Sequence, residues 1–210
     1  MALRLILADD HQIVRQGLRA LLEREGLEIA AEAADGNAAV TLVEVYHPDI
    51  AILDLSMPGL NGVDAAREIL QRHPKVGVIL LTVHNEDYQV VTALRAGIRV
   101  YVIKTQAADE LVRAIREVAT GGMYLSTDVS RIMVGVYLSG SELPADPLTP
   151  RERQILQLIA EGRTTKEVAS LLGLTTKTAE SYRSRIMDKL DIHQTAGLVR
   201  YAIRRGLIEP

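Results

Sequence analysis

The feature that most constrains this chain is a strict alternation over its first 120 residues. A short apolar run of β-prone residues is followed, again and again, by a longer stretch with apolar positions three and four apart. Leu3–Ala8 leads into Ile13, Val14, Leu18, Leu21 and Leu22 and closes at Gly26. Glu28–Ala33 leads into a helix over Asn37–Tyr46, Ile50–Leu53 into Gly62–Arg72, Val76–Leu81 into Glu86–Arg95, and Val100–Ile103 into Ala107–Thr120. Strands that read as nearly continuous Val, Ile and Leu must be covered on both faces, so the pattern predicts an α/β fold with a doubly wound, five-stranded parallel sheet. Such sheets take ligands at the C-terminal ends of their strands.

Beyond Gly121-Gly122 the pattern changes. One helix, Ser126–Leu138, precedes a turn-rich stretch, Ser139–Pro147, that reads as a linker. From Leu148 on only helical signals remain. Thr149 is an N-cap with Pro150 at the first helical position and Glu152 where a capping-box acid belongs, and this helix should stop at Gly162. A second helix begins at Thr164 or Thr165 and ends at Gly173; a third begins at Thr175 or Thr176 and runs to Leu190; His193–Arg205 forms the last. Two helices joined by a short turn containing Gly make a helix-turn-helix. The expected division is 1–120, a linker with a helix over 121–147, and a small all-α domain over 148–210.

Charge divides the chain in the same way. The net charge of -3 conceals -5 over Met1–Leu138, -2 over Ser139–Pro147 and +4 over Leu148–Pro210. A basic C-terminal part favours a polyanionic partner, with nucleic acid the obvious one. Cysteine is absent, which excludes disulfides and thiolate metal sites, and the N-terminus lacks a long apolar h-region before Asp9 and Asp10. No run approaches the ~18 apolar residues of a membrane span. A cytoplasmic protein with no membrane partner is the expectation. Phe and Trp are both absent, so the core must be aliphatic and broad base-stacking platforms are disfavoured.

Chemistry gathers where the fold would place it. Asp9 and Asp10 follow the first strand, Asp54 ends the third, Thr82 follows the fourth and Lys104 follows the fifth. Three carboxylates on one rim require a compensating cation, and an all-oxygen set suits Mg²⁺. A carboxylate can also accept a phosphoryl group as a nucleophile, with Asp54 in that role and Lys104 as counter-charge. A bland alternative is that Asp9 merely caps the first helix and that Met57-Pro58-Gly59 is only a turn. His11, His47, His73 and His193 show no metal-ligand spacing and read as structural or surface residues.

The ordered set Asp9-Asp10, Asp54-Leu55-Ser56-Met57-Pro58-Gly59-Leu60-Asn61-Gly62, Leu81-Thr82 and Tyr101-Val102-Ile103-Lys104 resembles the receiver domain of two-component response regulators, whose fold is flavodoxin-like. The resemblance implies that Asp10 and Asp54 hold Mg²⁺ directly with the Ser56 carbonyl, and that Asp9 acts mostly through water. It further implies that Asp54 is the phosphoacceptor, that Thr82 hydrogen-bonds the phosphoryl group, and that Tyr101 turns inward with it as part of a switch. Ser56 and His84 are candidates for tuning hydrolysis.

Leu148-Thr149-Pro150-Arg151-Glu152-Arg153, Ala160-Glu161-Gly162, Thr165-Lys166-Glu167-Val168-Ala169 and Thr176–Leu190 are similar to the LuxR-type DNA-binding domain, and the two halves together resemble the NarL/FixJ class. On that resemblance the helix Thr176–Leu190 enters the major groove, Glu180, Ser181 and Ser184 face the bases, and Lys177, Arg183 and Arg185 grip phosphates. Asp191-Ile192 stands where a Gly-hydrophobic pair is usual. The last helix is implied to offer a homodimer surface.

The function expected is that of a transcriptional regulator, not an enzyme. A sensor histidine kinase phosphorylates Asp54, and the acidic domain then ceases to mask or misplace the basic one, so that the chain dimerises on promoter DNA. One alternative is a regulator that binds DNA without phosphorylation and uses the receiver for protein contacts. Another is a Mg²⁺-dependent phosphatase working through an aspartyl-phosphate, which would want an Asp two residues beyond the nucleophile, where Ser56 stands.

Overall fold

A computed structural model describes residues 3–82, 93–94, 97–98, 100–104, 108–138 and 146–208. The first half is a parallel sheet of β1 (Arg4–Ala8), β2 (Glu28–Ala33), β3 (Ile50–Asp54), β4 (Gly77–Thr82), β5 (Val100–Ile103) and β6 (Tyr124–Leu125), in the order β2-β1-β3-β4-β5-β6. The fold class is as expected, with one addition. A sixth strand of two residues extends the five-stranded sheet and pairs Tyr124 with Val100 and Leu125 with Tyr101.

The helices of this half described over their full length are α1 (Gln12–Arg24), α2 (Gly36–Tyr46), α3 (Gly62–Arg72) and α4 (Ala108–Ala119). Because side chains alternate along a strand, each strand feeds two cores. Ile6, Ala8, Ala51, Leu53, Val78 and Leu80 face α2 and α3, meeting Ala39, Val43, Ala66 and Ile69. Leu5, Leu7, Ile50, Ile52, Ile79 and Leu81 face the opposite way, toward Leu22 of α1 and Leu111 and Ile115 of α4. Each fully buried Val, Leu or Ile among them contributes roughly 1.5–3 kcal/mol, and each Ala less. Of the helix expected over 86–95, Ala93 and Leu94 are helical. The rest of it, His84 and residues 139–145 of the expected linker lie outside the described residues.

The chain continues through α5 (Thr127–Leu138) into four further helices: α6 (Pro150–Ala160), α7 (Thr165–Leu171), α8 (Thr176–Leu190) and α9 (Thr195–Arg204). Thr149 and Glu152 form the full capping box at the start of α6, and Thr164 and Glu167 form another at α7. Gly162 and Gly173 take positive φ of 84° and 63°, which stops α6 and turns α7 into α8. Leu148, Ile155, Ile159, Val168, Ile186, Leu198 and Ala202 close a third, aliphatic core in this half. No helix among the described residues is long and apolar enough to cross a membrane.

Candidate functional site

The sheet order places β2 and β3 on opposite sides of β1, so the chain reverses direction there and opens a crevice at the strand ends. Asp9 lies just past β1 and Asp54 is the last residue of β3; both are buried, as is Thr82 at the end of β4. Lys104, just past β5, bridges the two acids, its Nζ 2.6 Å from Asp9 Oδ2 and 2.8 Å from Asp54 Oδ1. The backbone N–H of Lys104 donates to the Thr82 carbonyl at 2.6 Å, which locks β5 beside β4 at this rim. Asp10 is exposed beside them. Ligand atoms of Asp9, Asp10, His11 and Asp54 all fall within 4.8 Å of one another.

Asp9 does not cap α1. The N-cap is His11, which makes no side-chain cap bond, and the Asp9 carboxylate instead receives the His11 backbone N–H at 2.8 Å. His11 is exposed, as expected of a surface residue, and its Nδ1 lies 2.7 Å from Asp10 Oδ1, which sets it beside the acidic cluster. A search for regular metal-ligand spacing could not find it because Asp54 arrives from another strand.

Electrostatics at the rim follow from burial. Burial pushes the Asp54 carboxyl up to about 6; Lys104 pulls it back, while Asp9 and Asp10 add to the rise. Burial opposes the charge of Lys104 too, but Asp54 and Asp9 outweigh it and hold its pKa above the ordinary lysine value. Three carboxylates against one ammonium leave two negative charges uncompensated when all are ionised. That deficit and the oxygen-rich donor set fit a hard divalent cation such as Mg²⁺.

The loop after β3 is tightly held at its ends. Leu55 N–H donates to the Leu81 carbonyl and Gly62 N–H to the Leu55 carbonyl, each at 2.8 Å. A Cβ on Gly62 would collide with the Asp54 carbonyl, so only glycine lets α3 start against the backbone of Asp54. Ser56 is half-buried between them. Tyr101 is completely buried in the core, so its ring is already inward here and any swing must carry it outward.

The second half docks on this loop, a contact no sequence signal announced. Arg153 grips Asp64 of α3 through two bonds, Nη2 to Oδ1 at 2.6 Å and Nε to Oδ2 at 3.0 Å, and reaches Asp146 at 2.8 Å. Gln157 donates to the Met57 carbonyl at 2.7 Å and accepts the Asn61 backbone N–H at 3.0 Å. Glu161 accepts the Gly59 N–H at 2.8 Å. Arg153, Gln157 and Glu161 are spaced by four residues along α6 and its C-cap, so they share one face. A cleft of ≈ 160 Å³ between Asp10, Ser56, Met57, Pro58, Glu161, Leu207 and Ile208 brings the second half to the mouth of the acidic site.

On the second half, Lys177, Glu180, Ser181, Ser184 and Arg185 are exposed along α8. Arg183 differs: it is half-buried and donates to Thr195 Oγ1 at 2.7 Å, which ties α8 to α9. Arg185 stacks over the Tyr182 ring at 5.4 Å. Lys189 pairs with Glu152 at 2.7 Å; burial opposes the charge on Glu152, but Lys189 and the Thr149 cap bonds hold its carboxyl below the usual range. Asp191 caps α8 in the left-handed conformation, φ 52°, as the position's usual glycine would.

Residues 5–116 match the family model described as response regulator receiver domain, and residues 146–202 match that of bacterial regulatory proteins, luxR family. The chain is 37% identical over 207 residues to the transcriptional regulatory protein MctR of Rhizobium johnstonii, covering 98% of this chain and 95% of MctR. It is 36% identical over 208 residues to the response regulator UvrY of Escherichia coli K12, covering 98% and 95%. Among solved structures, RcsB from Salmonella enterica serovar Typhimurium, bound to promoter P1flhDC in the presence of the phosphomimetic BeF3-, superposes with a TM-score of 0.65 at 28% identity, covering 96% of this chain and 98% of RcsB.

Proposed function

Because the chain belongs to the two-component response regulators that join a receiver domain to a LuxR-type helix-turn-helix domain, we propose that Asp54 is its phosphoacceptor and that phosphorylation frees the second half to pair on promoter DNA. The single observation that carries this reading is the Lys104 ammonium seated between Asp9 and Asp54, at 2.6 and 2.8 Å, beside the exposed Asp10. In the transfer, an Asp54 carboxylate oxygen bonds the phosphorus of a phosphohistidine on a sensor kinase. The P–N bond breaks, and the imidazole recovers a proton. Asp54 must be ionised to attack, and Lys104 favours that form. Lys104 also balances charge on the phosphoryl oxygens, and Thr82, buried at the end of β4, would donate its hydroxyl to them. Asp10, Asp54 and the Ser56 carbonyl would hold Mg²⁺, with Asp9 reaching it through water, and the ion would supply further neutralisation of the transferring group.

The division 1–120, 121–147 and 148–210 then separates input, connection and output. Lys177, Glu180, Ser181, Ser184 and Arg185 are exposed although the halves are docked, so the docked state controls DNA binding by misplacing the second half rather than by masking its reading face. Arg183, tied to Thr195, is the weaker phosphate candidate and the better strut. The test is labelling by a small acyl-phosphate donor with Mg²⁺ in the wild type and in Asp54→Asn. Labelling of the wild type alone supports the assignment; equal labelling of both refutes it.

A further inference from the structure

The docked face of α6 reaches the receiver at the connection that follows Asp54, a segment whose movement the acidic site would feel. The ends of the β3–α3 connection are pinned, by Leu55 to Leu81 and by Gly62 to Leu55, which leaves residues 56–61 as the adjustable piece. Ser56 supplies the carbonyl assigned to the metal, and the next carbonyl along, that of Met57, is bonded by Gln157 Nε2 at 2.7 Å. Orientation of the two carbonyls is linked through the backbone dihedrals of Met57. The side-chain oxygen of Gln157, Oε1, accepts the Asn61 N–H at 3.0 Å and the Asn61 Nδ2 at 3.2 Å, and its Nε2 also donates to Glu161 Oε1 at 2.9 Å. Glu161 holds the Gly59 N–H. Three backbone polar groups of this turn, which would otherwise bond water or the turn itself, are therefore taken by the other half of the chain. Gln157 is fully buried in doing so. Glu161 also lines the cleft that Asp10 and Ser56 share, which sets a carboxylate beside the acidic site, where it repels a phosphoryl dianion.

We infer that Gln157 and Glu161, residues of the DNA-binding half, are positioning residues for phosphoryl binding at Asp54, and that while docked they weaken it. The inference rests on the phosphoacceptor reading above. Its direction follows from reciprocity: if a phosphoryl group on Asp54 disfavours docking, docking must disfavour the phosphoryl group by the same factor.

Beryllofluoride with saturating Mg²⁺ is the probe, titrated into the full chain while a spin-label pair reports the distance between the halves. Gln157→Glu sets a carboxylate against the Met57 carbonyl and Glu161 and breaks the grip. Glu161→Gln keeps an acceptor for Gly59 but removes the charge. The expected result is half-saturation at a roughly five-fold or more lower beryllofluoride concentration for Gln157→Glu, with the halves moved apart, and a smaller gain for Glu161→Gln with the halves still together. Half-exposed Glu161→Ala stands in if Gln157→Glu does not fold, with the same gain expected. Separated halves with unchanged affinity overturn the inference, as does unchanged affinity with the halves still docked. If the wild type binds no beryllofluoride at all, the phosphoacceptor reading falls with it, an outcome distinct from equal binding by wild type and variants.

Discussion

Arg153→Met is the substitution that most directly tests whether the halves are held by the contact described. The guanidinium is almost wholly buried. Burial works against its charge, yet Asp64 and Asp146 raise its pKa above the ordinary arginine value. Asp64 is itself buried, with Arg67 Nη1 at 2.7 Å and Asn61 Nδ2 at 3.0 Å as its remaining partners. Removing one member of a buried, bidentate pair costs about 3–5 kcal/mol when the geometry is held and the other charge is left without compensation; Arg67 still partly neutralises Asp64, which sets the loss at the lower end, about 3 kcal/mol. Here the geometry need not hold. Asp64 can regain water if the second half leaves, so the measurable loss is capped at the docking free energy, and the excess appears as an opened population.

At 1.4 kcal/mol per decade, a loss of about 3 kcal/mol lowers the docking equilibrium roughly a hundredfold. Since the chain has no cysteine, a label pair introduced by Gln71→Cys and Ser170→Cys, both exposed, needs no background removal. The expected result is a single short distance in the parent and a broad, longer distribution in Arg153→Met. Asp64→Asn in the same background should add little, since the two changes remove one interaction. A distance distribution unaltered by Arg153→Met, with an unaltered melting curve, refutes the argument that this pair holds the halves together.

Three further outcomes are expected. Asp54 is raised to about 6 in the fold against 3.8 for the free side chain, so the folded state favours the protonated form and loses stability as pH rises from about 4 through 6. Asp54→Asn should therefore stabilise the metal-free protein at pH 8 by about 1–3 kcal/mol and by almost nothing at pH 4, read by urea unfolding; a gain that grows toward acid contradicts this. Lys177→Ala and Arg185→Ala should each weaken promoter binding and reduce the slope of log affinity against log salt by about 1, read by fluorescence anisotropy, and an unchanged slope removes that residue from the phosphate contacts. Asp191→Gly should raise the stability of the C-terminal half by roughly 0.5–1 kcal/mol by relieving the left-handed backbone, and a lowered melting temperature would show that the carboxylate compensates for its strain.

The inner strands were legible because parallel strands buried on both faces must be apolar throughout, and the observed ends lie within a residue of Ile50–Leu53 and Val100–Ile103; β2, at the sheet edge, keeps Glu28 and Glu32 and was read from its place in the alternation. The cap at Thr149 was legible for an equally local reason, since a capping box is complete within four residues; the next helix start stood open between Thr164 and Thr165, and the structure sets the cap on Thr164. Strand β6 was not: two residues carry no periodicity, and Tyr124-Leu125 after two glycines looks like the end of a turn. The acidic rim could be read because topology alone brings strand ends together. The docking contact could not, because Arg153, Gln157 and Glu161 at four-residue spacing are the pattern of a solvated helix face as much as of a buried polar seam. What distinguishes the two is a partner surface with Asp64, Asn61 and free loop amides. That surface is a property of the turn's backbone, which side-chain pattern does not report.

On the proposed function, with α8 as the reading helix, its exposure in the docked state narrows how such a regulator can be controlled. A single small module buries only about 600–1,000 Å² on DNA, and useful affinity comes from two modules set one helical turn apart, about 34–36 Å. When each second half is fastened to its own receiver through Asp64, Met57, Gly59 and Asn61, a reading helix can still touch one half-site, but its direction relative to a second copy is fixed by the receivers. Releasing it converts the second contact into an intramolecular event whose gain depends on effective concentration and on nothing new at the protein–DNA surface. Control of this kind should change the dependence of binding on half-site spacing far more than the affinity for an isolated half-site. Comparing Arg153→Met with its parent on operators that carry one or two half-sites measures that difference directly, and an equal gain on both would place the control at the reading face after all.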